Sequence, residues 1–277
     1  MADSPPERAL LTKEKATGLI TLRARAQESR SGRGVLHDPW AERAVALLGA
    51  DTVELEVHPW RAAVLAARAR QLDLWTADFL ARHADATVLH LGCGLDSRVF
   101  RVDPPASVRW FDVDYPDVIA TRERIYPGPS GRPGYLTIGA SLAETDWLAQ
   151  VPRDRPAWVL AEGVTMYLAE EVLHGILEAV TAHFPEGEVA FDAHGRRLVQ
   201  GAARKGFTVG NTGAAFVWGL DDPADIVRLA PRLRPVERLP VRELARRFHL
   251  PLSLRATMRA ADLVPALRAF SLYRFRF

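Results

Sequence analysis

Between Pro59 and about His83 the apolar residues Val64, Leu65, Leu72, Trp75, Phe79 and Leu80 recur at helical spacing, which predicts one long amphipathic helix. Upstream, Asp38-Pro39 has the make-up of a helix start, with Asp able to cap and Pro suited to the first turn. Residues 1–35 read as an N-terminal arm with a helical portion near Thr12–Arg30. Past residue 86 the pattern shortens. Apolar runs at Thr87–Leu91, Val108–Val113, Tyr135–Ile138, Ala157–Ala161 and Glu188–Phe191 predict strands, separated by helical stretches near Tyr115–Ile125, Thr145–Val151 and Ala169–Phe184. Short apolar strands alternating with helices indicate an α/β domain whose mainly parallel sheet is covered on both faces, with right-handed crossovers. The C-terminal third, with Ala214–Leu220, Asp222–Leu229, Val241–Phe248 and Ser271–Phe277, suggests a helix or two plus late strands. Its closing Leu272–Phe277 alternates with period two, as a half-buried strand does. The organisation expected is one integrated domain: an arm and helical cap over 1–85, and a core over 86–277 with a substrate-shaping insertion around 195–235.

Chemistry concentrates where these strands end. The run Thr87-Val-Leu-His-Leu-Gly-Cys-Gly-Leu-Asp-Ser-Arg98 closes an apolar strand on two glycines, Gly92 and Gly94, with Asp96 just beyond. Twenty residues after Gly94, a second run ends at Asp114, followed by Tyr115-Pro116. Glycine lets backbone approach a ligand closely, and a carboxylate can accept hydrogen bonds from two sugar hydroxyls. The order resembles a dinucleotide fingerprint, but the third glycine is replaced by Ser97. That weakens the case for a pyrophosphate and leaves room for a smaller adenosine ligand such as S-adenosylmethionine. Glu162 ends the fourth strand candidate beside Gly163, across the crevice from Gly92, where a cationic amino group can be met. Arg25, Arg68 and Arg70 fall on helices ahead of the sheet and offer planar donors to a carboxylate.

Other candidates are weaker. Cys93 lies in the glycine turn without a base at a diagnostic spacing and reads as a small packing residue. None of the eight histidines forms an H-x-x-x-H or H-E-x-x-H pair, so no helical metal site is expected. His194, after the fifth strand, is the one histidine at a catalytic edge. The composition, 48% hydrophobic and 25% charged, is that of an ordinary globular protein. With no stretch long enough to cross a membrane, an acidic start unlike a secretory signal and a single cysteine, a cytoplasmic protein is expected. Twelve arginines crowd Arg228–Phe277, yet only three lysines occur in the whole chain, so the excess reflects composition rather than a nucleic-acid surface.

Taken together, Val88–Arg98, Trp110-Phe-Asp-Val-Asp-Tyr-Pro116 and Ala161-Glu-Gly-Val-Thr-Met-Tyr-Leu168 resemble the leucine carboxyl methyltransferase family, in its bacterial polyketide O-methyltransferase branch. Asp38-Pro-Trp-Ala41, Arg68-Ala-Arg-Gln-Leu-Asp73, Phe216–Pro223 and Tyr273–Phe277 extend the resemblance from about Arg25 to the C-terminus. The resemblance implies a Rossmann-like class I methyltransferase fold with a seven-stranded sheet, and S-adenosylmethionine as cofactor. It implies cofactor contacts from Gly92, Cys93, Gly94 and Asp96 in the turn, from Asp114 and Tyr115 at the ribose, and from Glu162 and Gly163 at the amino-acid end. Arg68, with Arg25 from the arm, is implied at the cofactor carboxylate. Relatives carry Ala-Asp-Leu after the third strand with the aspartate on adenine, whereas this chain has Ala140-Ser141-Leu142. Ser141 and Leu142 are therefore the expected adenine contacts. The activity implied is methyl transfer to an oxygen of a small molecule, a carboxylate or else a phenol or enol of polyketide or other secondary-metabolite type. A carboxylate needs no base; a phenol would use one, for which His194 is the candidate. Tyr167 and Trp218 are expected to line the acceptor pocket. No nucleic-acid or membrane partner is expected, and oligomeric state stays open. The competing readings are a methyltransferase-like domain that binds without turnover and a nicotinamide oxidoreductase.

Overall fold

Five consecutive buried residues make Thr87–Leu91 strand β1, a burial pattern that requires cover on both faces. The computed structural model describes residues 14–31, 34–49, 57–126, 132–209, 212–262 and 270–277. Among the described residues, three helices precede β1: α1 (Glu14–Arg30), α2 (Pro39–Leu48) and α3 (Pro59–Arg82). The anticipated helix start at Thr12, and the arm ahead of Glu14, lie outside the described residues. Asp38 caps α2, its carboxylate accepting from Ala41 N at 2.9 Å, with Pro39 in the first turn. After β1 come α4 (Arg98–Val102), β2 (Arg109–Asp114), α5 (Pro116–Ile125), β3 (Tyr135–Gly139), a 3₁₀ turn (Thr145–Gln150) and β4 (Ala157–Ala161). A second 3₁₀ turn (Thr165–Tyr167), α6 (Glu170–His183), β5 (Gly187–His194), α7 (Arg196–Arg204) and α8 (Pro223–Leu229) follow. The chain closes with β6 (Arg234–Pro240), α9 (Val241–Arg247), α10 (Leu252–Asp262) and β7 (Phe270–Arg276).

The seven strands form one sheet in the order β3-β2-β1-β4-β5-β7-β6. All pairings are parallel except those of β7, which runs antiparallel to both β5 and β6. Register sorts the side chains into two layers. Val88 pairs with Trp110 and Trp158, and all three pack with Val64, Trp75 and Phe79 of α3. Leu89 pairs with Phe111 and Val159, and these pack on the opposite face with Leu173, Ile176 and Leu177 of α6. From β1 the chain builds outward to β2 and β3, then returns to place β4 on the other side. That reversal opens a crevice at the carboxyl ends of β1 and β4, the usual ligand position in open α/β sheets.

Four local readings change. The stretch anticipated as a helix near Thr145–Val151 is a single 3₁₀ segment, and Ala214–Leu220 has no regular structure. The latter is instead pinned by Val217 N donating to Met166 O at 2.9 Å and Leu220 N donating to His194 O at 2.8 Å. Strand β6 had no counterpart among the anticipated segments. Its Arg-Pro-Val-Glu-Arg-Leu-Pro is exposed and broken by a bulge between Pro235 and Glu237, features tolerated only at a sheet edge. Strand β5 runs three residues past Phe191, so His194 ends the strand rather than following it. No helix among the described residues is long and apolar enough to cross a membrane.

Candidate functional site

The carboxyl ends of β1, β2 and β4 surround a cavity of about 170 Å³, with one face of α1 contributing to its wall. Its floor is the turn after β1. Gly92 and Gly94 have φ of +60° and +50°, the left-handed region that favours glycine. Gly92 N and Cys93 N both donate to Val113 O, at 2.8 and 3.3 Å, which ties the turn to β2. A Cβ on Gly92 would lie 2.4 Å from Val164 Cγ2, whereas one on Gly94 would meet nothing within 4 Å. Gly94 thus leaves a cradle that any side chain would begin to fill. Ser97, where a third glycine would stand, donates its hydroxyl to the α2 cap Asp38 at 2.6 Å. Cys93 is buried, and burial together with the nearby Asp112 carboxylate raises its thiol well above the ordinary range, consistent with packing rather than nucleophilic attack.

Asp114 closes β2 against this turn. Its two oxygens accept from Gly94 N and Tyr115 N, each at 2.7 Å. Burial raises its pKa, and the two backbone donors pull the other way. Each oxygen keeps a second lone pair for a ligand. Asp112, two residues earlier, takes a different part. It is fully buried and accepts from Trp110 Nε1, His90 Nδ1 and Tyr135 OH at 2.9, 3.0 and 2.8 Å, with Arg122 alongside. Burial pushes its pKa up, but Arg122 and His90 hold it at about 2.

At the end of β4, Glu162 and Gly163 face the cavity. Glu162 accepts from Arg68 Nη2 at 2.9 Å and Arg98 Nη2 at 2.5 Å, and these cations outweigh burial to hold its pKa at about 2. Arg68 reaches Asp192 at 2.8 Å through Nη1. Arg98, fully buried, also contacts Asp73 at 2.6 Å and Asp96 at 3.0 Å. Arg101 joins Asp38, Asp73 and Asp96 at 2.8, 2.9 and 2.8 Å. Arg25 is the least engaged. It donates to Leu95 O at 3.2 Å, its ion pairs to Asp38 and Asp96 stretch to 3.7 and 3.9 Å, and its buried Nε has no hydrogen-bond partner. Among the described residues, these four arginines face five carboxylates: Asp38, Asp73, Asp96, Glu162 and Asp192.

Of the residues anticipated from sequence, Arg25, Arg68, Gly92, Cys93, Gly94, Asp96, Asp114, Tyr115, Leu142, Glu162, Gly163 and Tyr167 come together around this cavity. Three do not. Ser141 does not line it; its hydroxyl accepts from Ala143 N at 3.3 Å, while Ala140, Leu142 and Ala143 form that wall. Trp218 packs below the sheet against Phe191 and donates its indole N–H to Glu170 at 3.1 Å. His194 also lies off the cavity wall, its ring 4.5 Å from Phe216 and edge-on to Phe270. Burial lowers its pKa to about 4, which makes it a poor base. Arg70 faces solvent. The sequence reading missed Thr17, Gly18 and Thr21 of α1, which join Arg25 on the cavity wall. The spacing of positions 17, 21 and 25, one helical face, was the available signal. It also missed Asp73 and Asp192, whose partners are remote in sequence, and Arg98 and Arg101, which join Asp96 nearby to Asp73, 25 or more residues away.

A seven-stranded sheet in this order, with an antiparallel seventh strand and a cavity at the switch point, is the Rossmann-like fold of the class I methyltransferases. Solved structures agree on the fold. A DUF574-family protein from Streptomyces avermitilis superposes with a TM-score of 0.52 at 14% identity, covering 86% of this chain and 89% of its own. Magnesium protoporphyrin IX methyltransferase from Synechocystis, solved with bound S-adenosylhomocysteine, gives 0.50 at 10% identity, covering 80% and 88%. The family model for leucine carboxyl methyltransferase matches residues 16–181. The tetracenomycin polyketide synthesis O-methyltransferase TcmP of Streptomyces glaucescens is 45% identical over 224 residues, 81% of this chain and 82% of that protein. The S-adenosyl-L-methionine-dependent methyltransferase dpfgK of Gibberella zeae is 34% identical over 248 residues, 83% of each chain. The chain belongs to the leucine carboxyl methyltransferase family.

Proposed function

We propose that this enzyme methylates an oxygen of a small-molecule acceptor, a carboxylate in the first instance, of polyketide or related secondary-metabolite type. The observation that carries the reading is Asp114, fixed by two backbone N–H groups beside the open face of Gly94, with free lone pairs at the cavity. The residues fit the cofactor of the family. Asp114 would accept the ribose hydroxyls, the uncommitted donors of Arg25 would meet the carboxylate, and the excess carboxylate around Glu162 would balance the positive charge. Tyr115, Val118 and Leu142 offer an apolar wall to adenine. When bound, S-adenosylmethionine supplies an electrophilic methyl group. The protein's part is to align that methyl with the acceptor and to limit water at the site, to which α1 would contribute through Thr17 and Thr21 on the cavity wall.

Two features favour an acceptor that arrives already ionised. His194 stands off the cavity with reduced basicity, and Tyr167, which does face it, has its hydroxyl shifted up by burial. The segment 195–220 would shape the acceptor end, where Tyr167 stacks 5.8 Å from Phe216. The name of TcmP, a polyketide synthesis O-methyltransferase, supports an oxygen acceptor of polyketide type. A cytoplasmic location belongs to this proposal.

Calorimetry with S-adenosylhomocysteine tests the cofactor half. Wild type binds, and Asp114→Ala loses about 1–3 kcal/mol of binding through a charged hydrogen-bonded pair. Incubation with methyl-labelled S-adenosylmethionine and a panel of aromatic carboxylic acids and phenols tests the transfer. Label appearing first in esters supports the reading, and label confined to nitrogen or carbon acceptors overturns it.

A further inference from the structure

Asp192 lies on β5, two positions before the strand ends, with no exposed surface. It does not line the cavity, yet three of its oxygens hold groups that do or that lead to them. Its Oδ1 accepts from Gly163 N at 2.6 Å, and its Oδ2 accepts from Arg68 Nη1 at 2.8 Å. Its backbone oxygen accepts from Thr165 Oγ1 at 2.6 Å, in the turn that carries Tyr167. One residue of β5 therefore clamps the end of β4 to the long helix α3.

What the clamp fixes is orientation. An unrestrained arginine has many rotamers, and holding it in one costs entropy that binding would otherwise have to meet. Here Glu162 takes the Nε and Nη2 edge of Arg68, at 3.1 and 2.9 Å, while Asp192 takes Nη1, so the guanidinium plane is set from two sides. Gly163, at φ +70°, lies beside the guanidinium: an added Cβ would sit in ordinary van der Waals contact with Arg68 Nη2, at 3.5 Å. The bond from Gly163 N to Asp192 keeps that turn in register with the guanidinium. Three lining residues, Arg68, Glu162 and Gly163, thus share one support that lies behind them.

We infer that Asp192 is the positioning residue for the amino-acid end of the bound cofactor, acting through Arg68 and Gly163. The inference rests on the cofactor assignment proposed above and adds to it a residue that touches no ligand. It separates the two ends of the cofactor. Asp192 has no bond to Asp114 or to the glycine turn, so the nucleoside end is held independently of it.

The test compares two inert probes by calorimetry on Asp192→Asn and Asp192→Ala: S-adenosylhomocysteine, and 5′-methylthioadenosine, which lacks the amino-acid end. Asparagine keeps an oxygen for Gly163 N but loses the charge facing Arg68; alanine loses both. S-adenosylhomocysteine should weaken about tenfold in Asp192→Asn and further in Asp192→Ala, while methylthioadenosine stays within about twofold of wild type. Equal weakening of both probes, or unchanged S-adenosylhomocysteine binding in folded Asp192→Asn, overturns the inference. If Asp192→Ala does not fold, the near-isosteric Asp192→Asn decides. Failure of that variant to fold assigns Asp192 to architecture alone and also overturns it. Wild-type protein that binds neither probe would instead remove the cofactor assignment beneath the inference.

Discussion

The two ends of the cavity, proposed above to take the cofactor and the acceptor, are held by different forces. At the first, strand ends meet in a buried lattice of arginines and carboxylates, with contacts such as Arg98 to Asp73 at 2.6 Å and Arg68 to Asp192 at 2.8 Å. At the second, rings lean on one another: Tyr167 on Phe216 at 5.8 Å, Phe216 on His194 at 4.5 Å, and Phe216 on Phe207 at 6.3 Å, with Phe207 52% exposed. Ring contacts of this kind contribute about 0.5–1.5 kcal/mol each beyond burial and can be exchanged. A buried charge that loses its partner cannot be re-solvated, so substitution there is punished in folding as well as binding. Substitutions in the buried charge lattice should therefore cost folding stability, and substitutions among the rings much less.

The sharpest way to break that contrast is Arg98→Met. Methionine fills similar length but strands Asp73, Asp96 and Glu162 without their shared cation. Denaturant unfolding should show a loss of about 3–5 kcal/mol, against under about 1.5 kcal/mol for Phe216→Leu. Losses of similar size would erase the distinction between the two ends. The acid limb of stability follows from the same lattice. Glu162 and Asp112 are both held at about 2 in the folded chain, below their unfolded values of 4.5 and 3.8. The unfolded chain therefore binds more protons in that interval, and stability is present above pH 4.5 and drains as pH falls toward 2. His194 adds a gentler slope of the same sign between 6.5 and about 4, because its folded pKa is also depressed. Its replacement by phenylalanine should flatten that upper slope and leave the lower one.

The glycine turn separates strain from contact. Gly92→Ala meets both a left-handed φ and Val164 Cγ2 at 2.4 Å, so it should cost about 2–4 kcal/mol of folding stability. Adding Val164→Ala should recover the clash and leave about 1–2 kcal/mol of strain. Gly94→Ala meets the strain alone, and its new methyl enters the cavity, so it should weaken S-adenosylhomocysteine as well. If Val164→Ala recovers nothing, the close approach of Gly92 to that side chain is not what the turn requires.

The legible parts were those where short-range pattern and function coincide. Strands β1 and β4 fall on the residues the apolar runs marked, and the turn after β1, with Asp114 and Glu162, stands at strand ends where ligands collect. The misses have physical causes. Two prolines hid β6, because Pro argues against a central strand and says little about an edge. Asp192 was invisible because its partners are Arg68, Gly163 and Thr165, and because β5 was ended one residue before it. Trp218 is expected in the acceptor pocket and His194 as the candidate base, both from position along the chain. The fold instead uses one to fill the α6 layer and the other as a ring beneath Phe216.

The smallest effect anticipated is the most discriminating for the adenine wall. If the family's aspartate position worked through its side chain here, replacing Ser141 would cost the cofactor a hydrogen bond. Its hydroxyl is instead turned to Ala143 N at 3.3 Å, and the cavity meets Ala140, Leu142 and Ala143 around it. Adenine would then be held by apolar contact and by backbone groups, neither of which depends on that hydroxyl. Ser141→Ala should therefore change S-adenosylhomocysteine affinity by less than about 0.5 kcal/mol, the range of an ordinary surface substitution. Ser141→Asp should gain nothing, since its carboxylate would start from the same outward-facing position. A tenfold loss in the first variant, or a tenfold gain in the second, would put the side chain at position 141 back on the adenine. It would also show that the cofactor end is more adaptable than its buried charges suggest.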